Sequence, residues 1–219
     1  MFVGHFAVGL ASKRLAPRSS EGVLLLAPLF LDVIWPVFLA TGLESVRIDP
    51  GNTAFTPLDL HDYPYSHSLL TSLGWSLLFA LAYYAFSRYR RGATVVGAGV
   101  FSHWVLDWIT HRPDMPLYPG SAVSVGLGLW NSRAGTMLVE SAMFAAGVWI
   151  YARTTRARDR VGAIAFWAMV ALLVLLYVST AFGPPPPGVK TLKIMAFAAW
   201  LFIPWAWWFD RHRQVISRT

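Results

Sequence analysis

Long apolar runs separated by short polar or turn-forming segments dominate the chain. Runs of about 20 apolar residues are long enough to cross a bilayer as α-helices. The pattern therefore predicts an all-α, polytopic membrane helical bundle with six transmembrane helices. Their predicted ranges are residues 22–42, 68–86, 93–111, 134–151, 162–182 and 192–209.

A short additional helix is predicted before the first span. Residues 2–12 are apolar but too few to cross the bilayer, and Lys13 and Arg14 follow at once. A signal peptide is the alternative interpretation. It is disfavoured because no charge precedes the apolar part, and the basic pair stands where a small-residue cleavage site is expected. We therefore expect a half-spanning helix at the N-terminus.

Two polar segments, residues 43–65 and 112–133, separate predicted spans. Pro113 disfavours helical geometry at the residue before it, so the span that precedes the second segment should end near His111. No tandem repeat is apparent. We therefore expect residues 1–219 to form a single integral membrane domain. Its expected parts are a metal-site region of about residues 1–140 and C-terminal helices of about residues 141–210.

Composition supports a membrane protein. Hydrophobic residues make up 56% of the chain and charged residues only 13%, whereas soluble domains carry about 25% charged residues. Cysteine is absent from the sequence, which excludes disulfides and thiolate metal ligands. Histidine and carboxylate side chains are therefore the plausible metal ligands.

The net charge of +7 indicates topology rather than nucleic-acid binding, because the basic residues cluster at the ends of apolar runs. The predicted spans place 13 basic residues on one side and 5 on the other. The positive-inside rule then predicts that the larger set and the C-terminus are cytoplasmic and that both polar segments lie on the far side. The larger set consists of Lys13, Arg14, Arg18, Arg88, Arg90, Arg91, Arg153, Arg156, Arg158, Arg160, Arg211, Arg213 and Arg218.

Three ionisable residues, His103, Asp107 and His111, recur at four-residue intervals within an apolar run. This spacing places all three on one face of a helix. Ionisable groups facing an apolar interior are costly unless something binds them. The plain alternative is three polar residues lining a wet gap between helices. Because these are two residue types that bind divalent metals, the pattern favours a metal site.

The helical rise separates His103 and His111 by about 12 Å along the axis, which makes joint binding of one ion difficult. Each lies only about 6 Å from Asp107 along the same axis. We therefore expect a site with two or more ions, in which Asp107 bridges two metals, His103 serves one ion and His111 serves the other.

Depth in the membrane connects further ionisable residues to this face. The helical rise, counted from the cytoplasmic end of each segment, gives the depth of each ionisable residue. These depths form two groups, one near mid-membrane and one in the outer half. The first group is His5, Asp32 and His103, and the second is His67, Asp107, His111 and Glu140. Five segments thus converge on one zone that opens toward the non-cytoplasmic side. Taken singly, His5, His61 and His67 could be surface or interfacial histidines, and Glu140 could be an isolated polar residue.

Several of these residues stand in motifs that resemble a known family. The motifs are Gly4-His5, Asp32 in the first long span, His61-x5-His67-Ser68, and Ser102-His103-x3-Asp107-x2-Thr110. Together they resemble bacterial inner-membrane proteins of the membrane-bound metal-dependent hydrolase family, over about residues 1–120. The resemblance implies metal ligands at His5, Asp32, His61, His67, His103 and Asp107. More distantly, the order of ligands is similar to that of zinc-dependent phospholipases C.

Two positions depart from the family pattern. The family carries a pair of acids where this chain has Asp32 alone, and Arg-Gly-like residues where Asp62 and Tyr63 follow His61. The resemblance therefore implies a divergent member.

These observations predict a membrane-embedded hydrolase that uses a divalent metal, zinc in particular, on a lipid or lipid-linked ester or phosphoester at the non-cytoplasmic side. Asp107 would bridge the ions, and Asp32 or Glu140 would accept the proton of the attacking water. The expected partners are membrane lipids and a lipid-like substrate, without nucleic acid.

Three alternatives of other classes stay open at this point. The first is a non-catalytic membrane subunit with a structural metal, and the second is a protein that transports metal ions or protons. The third is haem binding by the histidines, which the carboxylate in the middle of the His103–His111 pattern disfavours.

Overall fold

The computed structural model describes residues 1–216, and its principal elements are helices. Arg218, one of the basic residues predicted to be cytoplasmic, lies outside the described residues. Within residues 1–216 there are nine α-helices. They are α1 (Val3–Leu15), α2 (Glu21–Thr41), α3 (Pro64–His67), α4 (Leu69–Ser87), α5 (Arg90–Thr110), α6 (Arg133–Thr154), α7 (Arg160–Phe182), α8 (Val189–Ala198) and α9 (Phe202–Arg211).

Short antiparallel strand pairs occupy segments between the long helices. They are β1 (Ser45–Ile48) with β2 (Leu58–Asp62), β3 (Met115–Pro116) with β4 (Ser124–Val125), and β5 (Thr155–Ala157) with β6 (Arg213–Val215). The prediction of a helical membrane fold is confirmed, since these ribbons lie outside the apolar helices.

Five helical stretches of the described chain are long and apolar enough to cross a membrane. Four are α2, α4, α6 and α7, and the fifth is the continuous stretch Val189–Arg211, which contains α8, a 3-10 turn and α9. The predicted count of six spans is not confirmed, because α5 is not among these five. Its length of 21 residues is sufficient, but it carries a basic first turn and the polar His103–Asp107 face.

Local sequence signals explain where two of these helices begin and end. Ser20 caps α2 by accepting a hydrogen bond from the Val23 backbone N–H at 3.4 Å. Gly42 ends the same helix at a φ of 76°, in the left-handed region that glycine tolerates. The predicted end of the α5 helix near His111 is confirmed, since α5 ends at Thr110 and Pro113 follows.

The N-terminal helix α1 lies within the bundle, packed against α2, α5 and α6. Glycine allows this close approach. A Cβ atom on Gly147 of α6 would lie 2.6 Å from the Cα atom of Ala7, and one on Gly9 would lie 2.9 Å from the Cα atom of Leu25. Small residues at such contacts are typical of membrane helix packing. This packing places the side chain of His5 in the protein interior.

Polar contacts gather at the two ends of the bundle. At one end, the Lys13 ammonium group pairs with Asp210 at 2.7 Å, and β5 pairs with β6. At the other end, the two polar segments meet where Arg112 contacts the side chains of Asn52 and Asp59. The bundle therefore carries both polar segments at the same end, and which end faces the cytoplasm remains a prediction.

Candidate metal centre

The carboxylate of Asp107 lies at the centre of a buried cluster of histidines. Its Oδ1 atom lies 3.1 Å from His5 Nε2. Its Oδ2 atom lies 3.0 Å from His103 Nε2, 3.7 Å from His111 Nε2 and 3.8 Å from His67 Nε2. Four imidazole Nε2 atoms thus point to one carboxylate. They belong to helices α1, α3 and α5 and to the residue after α5.

A second carboxylate, Asp32 of α2, faces the same histidines. Its Oδ1 atom lies 3.6 Å from His67 Nε2 and 3.8 Å from His103 Nε2. The Asp32 side chain is 47% exposed, in contrast to the buried Asp107. Pro36 lacks a backbone N–H, which leaves the Asp32 carbonyl without its usual helical partner and favours a bend in α2 here.

In three of the four histidines, hydrogen bonds fix the outer nitrogen, Nδ1, which is the ring nitrogen that does not face Asp107. His103 Nδ1 lies 2.7 Å from the Pro28 carbonyl oxygen, and His67 Nδ1 lies 2.6 Å from Ser66 Oγ. His111 Nδ1 lies 3.1 Å from Asp114 Oδ1. Histidines that bind metals commonly donate their other ring N–H in this way, which orients the ring and presents a lone pair to the ion.

The tautomer of His103 follows from its partner. A carbonyl oxygen only accepts hydrogen bonds, so His103 Nδ1 carries a hydrogen and Nε2 of the neutral ring carries a lone pair. That lone pair faces Asp107 Oδ2, and His103 Nε2 has no hydrogen-bond partner among residues 1–216. Two lone pairs 3.0 Å apart repel unless a cation, either a metal ion or a proton, lies between them.

Protons on all of the histidines would relieve the repulsion between lone pairs, but they would be unfavourable. The rings of His5 and His103 stack with their centroids 3.8 Å apart and their planes within 2°. Two imidazolium charges at about 4 Å repel by about 4 kcal/mol at an effective dielectric constant of 20. Neutral rings offer their lone pairs to a divalent cation without this repulsion, so the donor set is compatible with a divalent metal.

The spacing of donor atoms also fits an ion. Two sets of three donors lie within 4.8 Å of one another. The sets are His5, His103 and Asp107, and Asp32, His67 and His103. Histidine nitrogen and carboxylate oxygen bound to one zinc ion at about 2.0–2.2 Å lie about 3 to 4 Å apart, in the range observed here. Since the two sets share His103, the cluster has donors for more than one ion.

A cavity of about 180 Å³ opens beside these donors. Asp32, His67, Asp107 and His111 supply its polar side. Its apolar walls include Phe2, Trp35, Phe55 and Trp130. The Trp130 ring lies against His111, with a centroid separation of 4.2 Å. The centre is therefore accessible to a small polar group held between aromatic side chains.

Comparison with known proteins assigns the family. A family model described as YdjM inner membrane protein matches residues 1–183. The chain belongs to the YdjM inner membrane protein family. The family description and the apolar helices together identify a multi-pass protein of the inner membrane. The comparisons with curated proteins and with solved structures gave no match.

Glu140 lies within the YdjM-family match but contacts backbone rather than histidine. Its Oε2 atom accepts hydrogen bonds from the backbone N–H groups of Phe2 at 2.8 Å and Gly4 at 3.3 Å. The amino group of Met1 contacts Asp107 Oδ1 nearby. Glu140 therefore holds the first turn of α1, the helix that carries His5, and neutralises its unpaired N–H groups.

His61, implied as a ligand by family resemblance, lies on β2 away from this cluster. Its Nε2 atom lies 3.1 Å from Ser45 Oγ and its Nδ1 atom 3.2 Å from the Asp59 carbonyl oxygen. Among the described residues, both ring nitrogens thus have partners in the β1–β2 ribbon. The structure brings His5, Asp32, His67, His103, Asp107 and His111 together and leaves His61 outside.

Sequence reasoning missed the residues that orient the histidines. Glu44 accepts hydrogen bonds from the hydroxyl and the backbone N–H of Ser66, both at 2.7 Å, and Ser66 in turn accepts from His67 Nδ1. The three-residue spacing of His111 and Asp114 is a signal that could have found Asp114. Glu44 has no such signal, because 22 residues separate it from Ser66.

Tyr63 completes the contacts around His111. Its hydroxyl donates to Asp114 Oδ1 at 2.9 Å and lies 3.1 Å from His111 Nδ1. Burial, reinforced by the Asp114 carboxylate, raises the pKa of Tyr63 well above its ordinary value. The phenol therefore stays protonated and serves as a hydrogen-bond donor that holds Asp114 beside the imidazole.

Proposed function

We propose that this YdjM-family protein is a membrane-embedded metal-dependent hydrolase. The proposed ligands of one or more divalent ions, zinc in particular, are His5, Asp32, His67, His103, Asp107 and His111. The observation that carries the proposal is the orientation of three histidines whose outer nitrogens are hydrogen-bonded while their Nε2 atoms face Asp107. The resemblance to membrane-bound metal-dependent hydrolases supports the same activity.

The two oxygens of Asp107 support the idea of a bridge. Oδ1 lies beside His5 Nε2 and the Met1 amino group, whereas Oδ2 faces His67, His103 and His111. The predicted assignment of His103 and His111 to different ions is therefore modified, since both face the same oxygen. We propose that Asp107 would help to hold more than one ion, with nitrogen ligands drawn from His5, His67, His103 and His111.

A bound divalent ion supplies a water that is nucleophilic near neutral pH and polarises an ester or phosphoryl oxygen. Asp32 is the proposed general base, because its carboxylate is half exposed and lines the cavity. Asp107 holds the imidazoles in place through both of its oxygens. Glu140, the other predicted base, is engaged by two backbone N–H groups and positions α1.

The proposed substrate is a lipid or lipid-linked ester or phosphoester at the non-cytoplasmic face. The cavity lies at the end of the bundle that carries both polar segments, since Phe55, Leu58 and Trp130 line it. The distribution of basic residues supports a non-cytoplasmic position for that end and a cytoplasmic C-terminus.

Elemental analysis combined with hydrolysis tests the proposal. Purified protein should contain zinc or another divalent metal and release product from fluorogenic ester or phosphodiester lipids. Chelation should abolish release, and addition of the metal should restore it. Protein that contains no metal and binds none on addition would contradict the metal centre. Metal-loaded protein that hydrolyses neither substrate class would contradict the activity.

Burial of the centre favours a second candidate function, a non-catalytic membrane subunit with a structural metal. His5 and His103 are fully buried, as structural ligands commonly are. Asp107→Ala separates the two functions. Loss of turnover in a folded variant would support catalysis, whereas collapse of the fold would support a structural ion.

A further inference from the structure

An apolar groove lies beside α3, the short helix that also carries His67 of the metal centre. Its volume is about 420 Å³, and we call it the α2–α4 groove. Its walls include Phe38 of α2, Leu43 after α2, Tyr65 of α3, and Gly74, Trp75 and Leu78 of α4. Helix α4 is one of the five helices suited to cross the membrane, and few of its residues are buried.

The polar groups of this wall already have partners within the protein. The Trp75 indole N–H donates to the Tyr65 carbonyl oxygen at 3.0 Å. The Thr71 hydroxyl, which also lines the groove, donates to the Pro64 carbonyl oxygen at 3.2 Å. The groove therefore offers an occupant a mainly apolar surface.

One turn of helix joins the groove to the metal centre. Tyr65 lines the groove, whereas His67, two residues later on α3, faces Asp32 and Asp107. Glu44 fixes this turn by accepting hydrogen bonds from the backbone N–H groups of Tyr65 and Ser66. The groove and the metal centre therefore each receive a side chain from the same four-residue helix.

The volumes indicate what each site accommodates. Pockets for small ligands commonly measure about 300–1,000 Å³, so the cavity of about 180 Å³ falls below that range and suits a small polar group. The groove of about 420 Å³ falls within the common range. The apolar lining of the groove matches a hydrocarbon chain.

We propose that the α2–α4 groove binds one acyl chain of the lipid whose ester or phosphoester group reaches the metal centre. This inference rests on the proposed hydrolase function and specifies its substrate as an acylated lipid. The bilayer that surrounds α4 supplies such chains. The short helix α3 separates the chain in the groove from the head group beside His67.

Gly74 lines the groove and provides the test. A Cβ atom at this position would meet no atom of the described chain within 4 Å, so there is room for a larger side chain to begin beside the groove. Because glycine also weakens helix interiors, Gly74→Phe should fold as well as the native chain. Ala82→Phe is the matched control, since Ala82 is exposed on the same helix and does not line the groove.

Photocrosslinking gives a readout that does not depend on hydrolysis. The full chain is placed in nanodiscs that contain phosphatidylglycerol with a diazirine at the end of one acyl chain. After irradiation, peptide mass spectrometry compares labelling of Trp75 and Leu78 with labelling of Leu138, an exposed residue of α6. Native protein and Ala82→Phe should label the groove well above Leu138. Gly74→Phe should lose that excess while it retains the native metal content.

The outcomes separate this inference from the proposed function. Groove labelling equal to that of Leu138, or unchanged in Gly74→Phe, would overturn the inference whatever the metal content. Strong groove labelling of a native protein that binds no metal would contradict the hydrolase and leave the groove as a lipid site unconnected to catalysis. With active protein, Gly74→Phe should slow hydrolysis of long-chain lipids and spare short-chain, water-soluble esters. Equal slowing of both would overturn the link between groove and substrate.

Discussion

His103 Nε2 lies 3.0 Å from Asp107 Oδ2, one helical turn away on the same face of α5. The opposite nitrogen of the ring is hydrogen-bonded to the Pro28 carbonyl oxygen of α2, so the ring cannot turn its N–H toward the carboxylate without losing that bond. The two residues therefore form a prearranged pair of lone-pair donors.

Replacement of Asp107 by asparagine should abolish metal binding. The variant keeps the shape of the side chain but removes the negative charge that faces four imidazoles. Metal content per chain, measured by elemental analysis of purified protein, checks this expectation. His61→Gln is the matched control and should retain native metal content, because His61 lies in the β1–β2 ribbon. Native metal content in Asp107→Asn would exclude Asp107 as a ligand.

Asp114→Asn should weaken metal binding without abolishing it. Asparagine keeps an accepting oxygen but removes the negative charge beside His111, and changes to the partner of a ligating histidine typically lower metal affinity about 10–100-fold. Competition with a chelator of known zinc affinity measures the change. Asp49→Asn provides the control, since Asp49 is exposed in the other polar segment. Equal affinities of native protein and Asp114→Asn would show that His111 needs no support from Asp114 or is not a ligand.

Glu44→Ala should destabilise the fold around α3. The substitution removes the acceptor of the Tyr65 N–H, the Ser66 N–H and the Ser66 hydroxyl. Leaving a buried polar group unpaired costs about 1–3 kcal/mol, so the midpoint of thermal unfolding in detergent should fall. Ser45→Ala, a substitution of the next residue that leaves these contacts intact, should have a small effect. An unchanged midpoint in Glu44→Ala would contradict the proposed role of Glu44.

A pair of glycine substitutions tests the close packing of α1. Gly147→Ala places a Cβ atom 2.6 Å from the backbone of Ala7, and overpacking of this kind costs about 1–3 kcal/mol. Gly74→Ala adds the same atom on α4 where no described atom lies within 4 Å, and it should stabilise the helix by about 1 kcal/mol. Opposite shifts of the thermal midpoint are expected. A stabilising Gly147→Ala would contradict the α1–α6 contact.

The pairing of Asp159 with His212 should make stability depend on pH. His212 Nδ1 donates to Asp159 Oδ2 at 2.7 Å, and this hydrogen bond, with a second from the Gly162 N–H, lowers the pKa of Asp159. A carboxylate with a lowered pKa in the folded state stabilises the fold above its unfolded pKa of about 3.9, and the effect is lost as pH falls through the folded value. Asp159→Asn retains a good helix cap and removes only the charge.

Thermal unfolding across pH compares the two proteins. Native protein should exceed Asp159→Asn in stability at pH 7, and the difference should shrink below about pH 4. A difference that persists unchanged at low pH would show that the carboxylate charge does not contribute through His212.

Apolar runs and turn residues predicted the helices well where the signals are local. The predicted span 68–86 corresponds to α4 at Leu69–Ser87, and the predicted span 162–182 corresponds to α7 at Arg160–Phe182. The number of spans was harder to predict from the same signals. Helix α5 is long enough to span a membrane, but the polar face that carries His103 and Asp107 lowers its hydropathy.

The residues around the candidate centre were predictable to different degrees. Four-residue spacing along one helix placed His103 and Asp107 together, because that spacing depends only on helical geometry. His61 shows the opposite case. It lies six residues before His67 in sequence, yet the pairing of β1 with β2 holds it in another part of the protein.

By itself, the sequence determined that this protein is a bundle of apolar helices and that certain ionisable residues share helix faces, since both properties depend on local composition and on the 3.6-residue repeat. Tertiary structure alone decided that His5 of α1 stacks on His103 of α5 and that Glu44 holds the turn before His67. Such contacts join residues that are distant in sequence, and they depend on how close the helix backbones approach, as Gly147 against Ala7 illustrates.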